Sequence, residues 1–464
     1  MVIHSKEKVA GDDIDSKIMR ISRISLSFVP VVTRVPLKFG DQTLTEVSCA
    51  RVGIEVTDGE KEVTGWAETP LSVAWVWPSG LGYREREDRL KTFCETLRGD
   101  LDVNAREGHP MVVGHCFIEE RLQYCLAKEN QDREPEAKMP HLAALVCLSA
   151  FDLALYDAFG KLHGIGVFDC LDRKWLGDHD LARFLKPTES FCGKYPSDYL
   201  VKPKKVLPVW HLVGGLDPIS ESELTGGEPD DGYPVLLRDW IRRDGLRCLK
   251  IKLQGNDGKW DYERLVAVGK IALEEGVTHL SSDFNCMVTD PEYVNEILDR
   301  LSEEEPEIHE RLVYVEQPFA YDLEANRIDV HSVSARKPLF MDESAHDWRF
   351  VRLGRDLGWN GVALKTCKTL TGALLSLCWA REHGMDLMVQ DLTNPRLAQV
   401  PHVLLAAFAG TIAGVESNAM QFYPEASAEF FKVHPGLYQR RNGVLDWSTL
   451  SGPGFGYAGV EDLP

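Results

Sequence analysis

From about residue 207 the chain repeats one unit, and this repeat constrains its fold more than any other feature. Short apolar runs alternate with amphipathic segments of helical period. The runs are 207–212, 248–253, 278–282, 312–315, 338–341, 361–364, 386–389 and 413–415, eight in all. Between them, 262–275 puts Leu265, Val268, Ile271 and Ala272 on one face and is followed by Gly276. Asp290-Pro291 is a helix start, an N-cap residue followed by proline at the first helical position. The stretch 371–383 carries Leu374, Leu377 and Cys378 on one face and stops before Gly384. Alternating strand and helix builds a parallel sheet, and eight such strands point to a (β/α)8-type barrel. An open sheet binding a dinucleotide is disfavoured, because no Gly-x-Gly-x-x-Gly follows a strand.

The region before the repeat has another character. Residues 1–16 read as a disordered tail. Residues 21–28 and 48–57 read as strands, with a turn at Asp58-Gly59, and 142–162 as a helix with Gly164 just past its end. Strands followed by helices suggest an α+β domain over 17–165. A connecting insertion is expected over 166–206, the barrel over 207–425 and a C-terminal return over 426–464. The stretches around 170–205 and 217–233 read as loop insertions.

Charge and cysteine content narrow the function. The 52 basic residues face 72 acidic ones, a net charge of −20. That lacks the footprint of a nucleic-acid or anionic-membrane binder, so neither partner is expected. The eleven cysteines form no Cys-x-x-Cys pair, which fits a reducing cytosol. The polar N-terminus does not resemble a signal peptide, and a cytoplasmic enzyme is expected.

The strand ends carry the chemistry. The second barrel run is Leu249-Lys250-Ile251-Lys252-Leu253, so alternation turns both lysines the same way. The third ends in Asp283-Phe284-Asn285, the fourth in Glu316-Gln317-Pro318, the fifth in Asp342-Glu343-Ser344 and the sixth in Lys365. From Lys252 to Lys365 the steps are 31, 33, 26 and 23 residues, each about one strand–helix unit. Residues at the C-terminal ends of barrel strands converge on one mouth. Three carboxylates brought together repel one another, and a hard divalent cation removes the conflict. Asp283, Glu316 and Asp342 therefore describe a Mg²⁺ site. Lys252 and Lys365 flank it and would face each other across the ligand. A lysine serves as a base once its pKa falls toward ~7–8, and Mg²⁺ with Lys250 beside it would supply repulsion for that. Taken singly, each acidic residue is more often a solvated loop residue or a helix cap; five in register at successive strand ends are not. Trp75 and Trp77 are candidates to cover a ligand, with core packing as the alternative.

The order K-x-K, D-x-N, E-Q-P, D-E-S and then lysine resembles the enolase superfamily, in its muconate lactonizing enzyme-like subgroup. The segment 150–161 (AFDLALYDAFGK) is similar to the helix before that family's barrel, and Gly452-Pro453-Gly454-Phe455-Gly456 to its C-terminal return. The resemblance implies an α+β cap over a modified (β/α)7β TIM barrel. It implies Asp283, Glu316 and Asp342 as metal ligands, Lys252 and Lys365 as bases and Lys250 as the tuning lysine. The seventh strand, Leu387-Met388-Val389-Gln390-Asp391, has no histidine, which disfavours the His/Asp dyad of the mandelate racemase-like subgroup. Glu416 on the eighth strand and Asn285 after the third are candidate substrate contacts. The D-x-D of the family's dipeptide epimerases is absent from the eighth strand.

The expected activity is Mg²⁺-assisted removal of the proton α to a carboxylate through an enediolate, with racemisation, epimerisation or cycloisomerisation as the outcome. Elimination by a lyase or dehydratase of the same superfamily, a lysine Schiff-base aldolase and a catalytically silent binding protein are the rivals. A small carboxylate is the expected partner, and a homo-oligomer the expected assembly. Segments 31–43 and 69–83 are expected to be loops that close the mouth and read the substrate.

Overall fold

The computed structural model describes residues 19–39, 42–104 and 107–457; the tail expected over 1–16 lies outside them. The chain opens with a three-stranded antiparallel sheet of β1 (Arg20–Phe39), β2 (Gln42–Thr57) and β3 (Glu62–Pro70), in that order. Val52, Ile54 and Val56 alternate along β2 and are fully buried. The sheet packs on the helix His141–His163, which ends at Gly164 in the left-handed conformation. Gly65 permits the contact, since a Cβ there would lie 2.2 Å from the Ala154 carbonyl oxygen. Among the described residues one helical stretch, Pro135–His163, is long and apolar enough to cross a membrane; its most apolar window is wholly buried inside the protein.

The segment 31–43, expected as a loop, is mostly strand. Val31 and Val32 pair with Val47 and Glu46, the register then breaks, and Leu37 and Lys38 pair with Leu44 and Thr43. Pro30 and Pro36 suggest a loop in the sequence, but β1 is an edge strand, where a residue without an N–H is tolerated. Segment 69–83 holds the end of β3 and a short helix, Val73–Val76.

Eight parallel strands form the second body: β4 (Val206–Val213), β5 (Cys248–Lys252), β6 (His279–Asp283), β7 (Leu312–Glu316), β8 (Leu339–Met341), β9 (Gly361–Leu364), β10 (Asp386–Val389) and β11 (Val415–Glu416). They pair in chain order from β4 to β10, with β11 on the free side of β4. Ile412 N donates to Leu387 O at 3.0 Å where β10 and the approach to β11 meet, so the sheet is a nearly closed barrel under an N-terminal cap. Trp210, Cys248, Tyr314, Phe340 and Met388 form an apolar layer inside it. Two residues further along four of these strands stand Lys250, Glu316, Asp342 and Gln390. Strand alternation thus stacks a charged layer directly on an apolar one.

Between cap and barrel, 166–206 contains short helical turns and no strand before β4. The return divides. β12 (Val444–Asp446) pairs antiparallel with the start of β4, while Gly454 N donates to Ile165 O at 2.8 Å on the cap side. The Asp157 carboxylate accepts from Phe455 N and Trp66 N, both at 2.9 Å, and pairs with Lys161 at 2.9 Å. Insertion 217–233 docks on β1 through Arg34, whose Nε donates to Asp231 Oδ2 at 2.6 Å.

Candidate active site

The barrel mouth brings the charged strand ends together. Lys250 Nζ lies 2.5 Å from Glu316 Oε1, 3.0 Å from Asp283 Oδ2 and 3.2 Å from Glu416 Oε2. Lys252 donates to the same Asp283 Oδ2. Across the ring, Lys365 Nζ is 3.2 Å from Asp342 Oδ2 and donates to Asp391 O at 3.0 Å. Gln390 donates to Glu316, and Asn418 Nδ2 to Glu416 Oε1 at 2.8 Å. All these side chains are buried.

The loops that follow the strands are held by backbone and amide contacts. Gln317 Oε1 accepts from Asp342 N at 2.8 Å and from Ser344 Oγ at 2.7 Å, which pins the loop after β8. Asn285 N donates to Asp283 Oδ1 at 2.9 Å. Asn285, Cys286 and Gln317 all have positive φ, so backbone strain gathers at the mouth.

Charge and burial oppose one another here. Burial alone would depress the Lys250 pKa, but Glu316, Glu416 and Asp283 outweigh it and hold it well above its usual value. Burial likewise disfavours the Lys365 ammonium, and Asp342 more than restores it. Burial works against the Asp283 carboxylate too, yet Lys252 and Lys250 bring its pKa below the ordinary range. Glu316 is raised by burial against the pull of Lys250. For Lys365 the direction is thus opposite to the lowering anticipated from sequence, because the Asp342 carboxylate outweighs burial.

The sequence-derived residues divide in three. Lys250, Lys252, Asp283, Glu316, Asp342 and Lys365 converge. Trp75 joins them from the cap, with Lys365 Nζ 5.3 Å from its ring centre and its Nε1 donating to Glu343 Oε1 at 2.9 Å. Asn285 stands at the rim, 3.5 Å from that same Glu343 oxygen. Glu416, expected to touch substrate, is engaged with Lys250 and Asn418. Trp77 is not brought to the mouth: it is 1% exposed in the cap core, with the Arg89 guanidinium 4.4 Å from its ring centre. The sequence reasoning left Lys368, Glu343, Gln390 and Asp391 without roles. Lys368 donates to Asp342 O and, at 3.2 Å, to Ala345 O, and burial lowers its pKa. Burial, with Asp342 and Asp283 nearby, pushes Glu343 up to about 7.

The donor set suits a hard divalent cation. Asp283, Glu316 and Asp342 are oxygen donors, and the buried Asp342 Oδ1 accepts no hydrogen bond. Four buried lysines (250, 252, 365, 368) face six buried acidic residues (283, 316, 342, 343, 391, 416), so two acidic groups are in excess of the lysines. As the side chains stand, no three acidic, histidine or cysteine residues are grouped to chelate an ion among the described residues.

A capped parallel barrel with lysines and carboxylates alternating around one mouth defines a class. Residues 234–463 match the family model described as Enolase C-terminal domain-like, and through this barrel the chain belongs to that family. Among solved structures it is similar to the L-Ala-D/L-Glu epimerase from Bacillus subtilis, with TM-score 0.61, 17% identity and coverage of 88% of this chain and 92% of that one. It is similar to a mandelate racemase/muconate lactonizing protein from Herpetosiphon aurantiacus, with TM-score 0.60, 18% identity and coverage of 94% and 97%. A dipeptide epimerase from Enterococcus faecalis V583, complexed with Mg and the dipeptide L-Leu-L-Tyr, gives TM-score 0.60, 16% identity and coverage of 94% and 99%. At these identities the likeness is one of fold. No curated protein matches the chain.

Proposed function

We propose that the protein is a Mg²⁺-dependent isomerase that removes the proton α to a carboxylate of a small acid, with racemisation or epimerisation as the outcome. One observation carries this: Lys252 and Lys365 stand four strands apart in the ring, each against its own carboxylate, with Glu316 and Lys250 between them. Mg²⁺ held by Asp283, Glu316 and Asp342 would stabilise negative charge on the substrate carboxylate and release the lysines from their carboxylate partners. Lys252 takes the proton from one face of the α-carbon, and Lys365 delivers one to the other. Lys250, kept charged, faces the carboxylate as its charge grows toward the enediolate.

The test is ¹H NMR in D₂O with 2-substituted acids and dipeptides, with and without Mg²⁺. Loss of the α-proton signal that stops on EDTA treatment is the expected result. Exchange that survives EDTA and is trapped by borohydride would replace this reading with the aldolase. Retention of the α-proton in every acid tried would leave a binding protein. The same experiment separates isomer formation from cyclisation or elimination by the products. A cytosolic location fits the eleven cysteines, all free in the structure. Assembly as a homo-oligomer completes the proposal and is read by sedimentation.

A further inference from the structure

The C-terminal return buries a charge that the proposed reaction does not use. Arg440 stands shortly before β12 with its side chain 0% exposed. Its Nε donates to Asp244 Oδ2 at 2.8 Å, but Nη1 and Nη2 find no hydrogen-bond partner among the described residues. A guanidinium carries five N–H donors in a fixed fork, and buried donors are ordinarily satisfied. Asp244 is moreover shared. Its Oδ1 accepts from Arg243 Nε at 2.8 Å, so one carboxylate serves two guanidinium groups and leaves one positive charge in excess among the three. The Trp240 ring holds both arginines, with the Arg243 and Arg440 guanidinium carbons 4.4 and 5.2 Å from its centre. Arg243 also lies 5.2 Å from the centre of the Tyr233 ring.

Both arginines belong to the wall of a cavity of about 210 Å³, between the helices Leu237–Asp244 and Ala428–Val433. These helices lie outside the ring of strands. Trp210 on β4 faces the barrel interior, and His211, turned the other way, meets Trp240 with ring centres 5.4 Å apart. Much of the remaining wall is apolar, from Tyr233, Met420, Phe431 and Tyr438, and Phe431 is left 38% exposed. Tyr233 ends the insertion 217–233, so that loop supplies one side. Glu425 is the one acid of the wall; it is exposed and pairs with neither arginine among the described residues. We propose that this cavity is a second binding site, for a small monocarboxylate with an apolar or aromatic body, whose carboxylate meets Arg243 at the opening and the Arg440 fork beneath it. Fork and carboxylate match in geometry, the rings supply the apolar contact, and Glu425 disfavours a doubly charged phosphate. The cavity shares no residue with the mouth, so this site is independent of the isomerase reading.

The test is titration calorimetry of the full chain in EDTA, with 3-phenylpropanoate, its neutral amide, phenyl phosphate and acetate as probes. 3-Phenylpropanoate is expected to bind about tenfold or more tightly than each of the other three. Its binding is expected to weaken about tenfold or more in Arg243→Met, in Arg440→Lys, which keeps the charge and loses the fork, and in Ala428→Phe, which fills the cavity and leaves both arginines in place. It is expected to be unchanged in Glu316→Gln, which alters the mouth instead. Circular dichroism checks each fold; since Arg440 is fully buried, Arg243→Met and Ala428→Phe decide the matter where Arg440→Lys does not fold. Binding that survives those two variants, or that Glu316→Gln abolishes, overturns the proposal. Acetate bound as tightly, which would leave an unselective anion site, overturns it, and so does tighter binding of phenyl phosphate. Absence of binding by every probe overturns it as well.

Discussion

Lys252 and Lys365 occupy matching strand ends, and the walls around them are made of different material. On the β5–β6 side Lys252 shares a cleft with Lys38 and the amides of Gln254, Asn256 and Asn285. On the β8–β9 side Lys365 lies beneath the Trp75 ring, braced by the Asp391 carbonyl, with the Lys368 ammonium 5.6 Å from the same ring centre. One side presents ammonium and amide groups, the other an indole ring over two ammonium groups. Equivalent places in a barrel are therefore not equivalent environments. The cap makes the difference, through its β1 edge on one side and the helix Val73–Val76 on the other.

The severest way to break the comparison is to remove what both sides share. Glu316→Gln is expected to reduce α-proton exchange to background for both stereoisomers, while circular dichroism shows the fold retained. Near-normal exchange would remove Glu316 from the metal site. The lysine variants sharpen the comparison directly. Lys252→Ala is expected to cost about 10²–10⁴-fold in exchange of one stereoisomer, and Lys365→Ala the same for the other. A single lysine governing both stereoisomers would turn the second into a fixed charge and favour cycloisomerisation. The tryptophans come next. Trp77→Ala opens a cavity in the cap core and is expected to cost about 3–5 kcal/mol in urea unfolding, leaving the substrate profile alone. Trp75→Leu is expected to cost about tenfold in exchange on the Lys365 side, from lost water exclusion and the lost bond to Glu343, and less on the Lys252 side. Equal losses on both sides would return Trp75 to general packing. The smallest effect belongs to Arg34→Ala. It frees Asp231 and is expected to raise KM about two- to fivefold without touching kcat, given the modest worth of a partly exposed ion pair.

Much of this was legible in the sequence because the barrel writes chemistry at a fixed register. The eight runs match the eight strands to within a few residues, and Lys250, Lys252, Asp283, Glu316, Asp342 and Lys365 converge as alternation requires. Lys368 was not legible. It follows Lys365 in a 3-10 turn, Thr366–Lys368, where strand alternation no longer says where a side chain points. Asp391 escaped notice for a different reason: its contribution to Lys365 is a backbone carbonyl, which carries no residue signature. Glu343 stood in plain view beside Asp342, but its partner Trp75 is 268 residues away. The same distance hid the different roles of Trp75 and Trp77, since two tryptophans one residue apart look alike until the cap is folded. Segment 31–43 was expected as a loop because a mouth needs a lid, and only the pairing with β2 shows that most of it is strand.

The contacts of Asp157 carry a consequence for how the chain is made. Its carboxylate joins the Trp66 amide to the Phe455 amide, 298 residues past Asp157, and it is fully buried while doing so. On a ribosome the sheet and helix of the cap emerge some three hundred residues before Phe455 does. Until then Asp157 is an acid short of one donor, so the cap is completed only after the barrel that follows it in the chain.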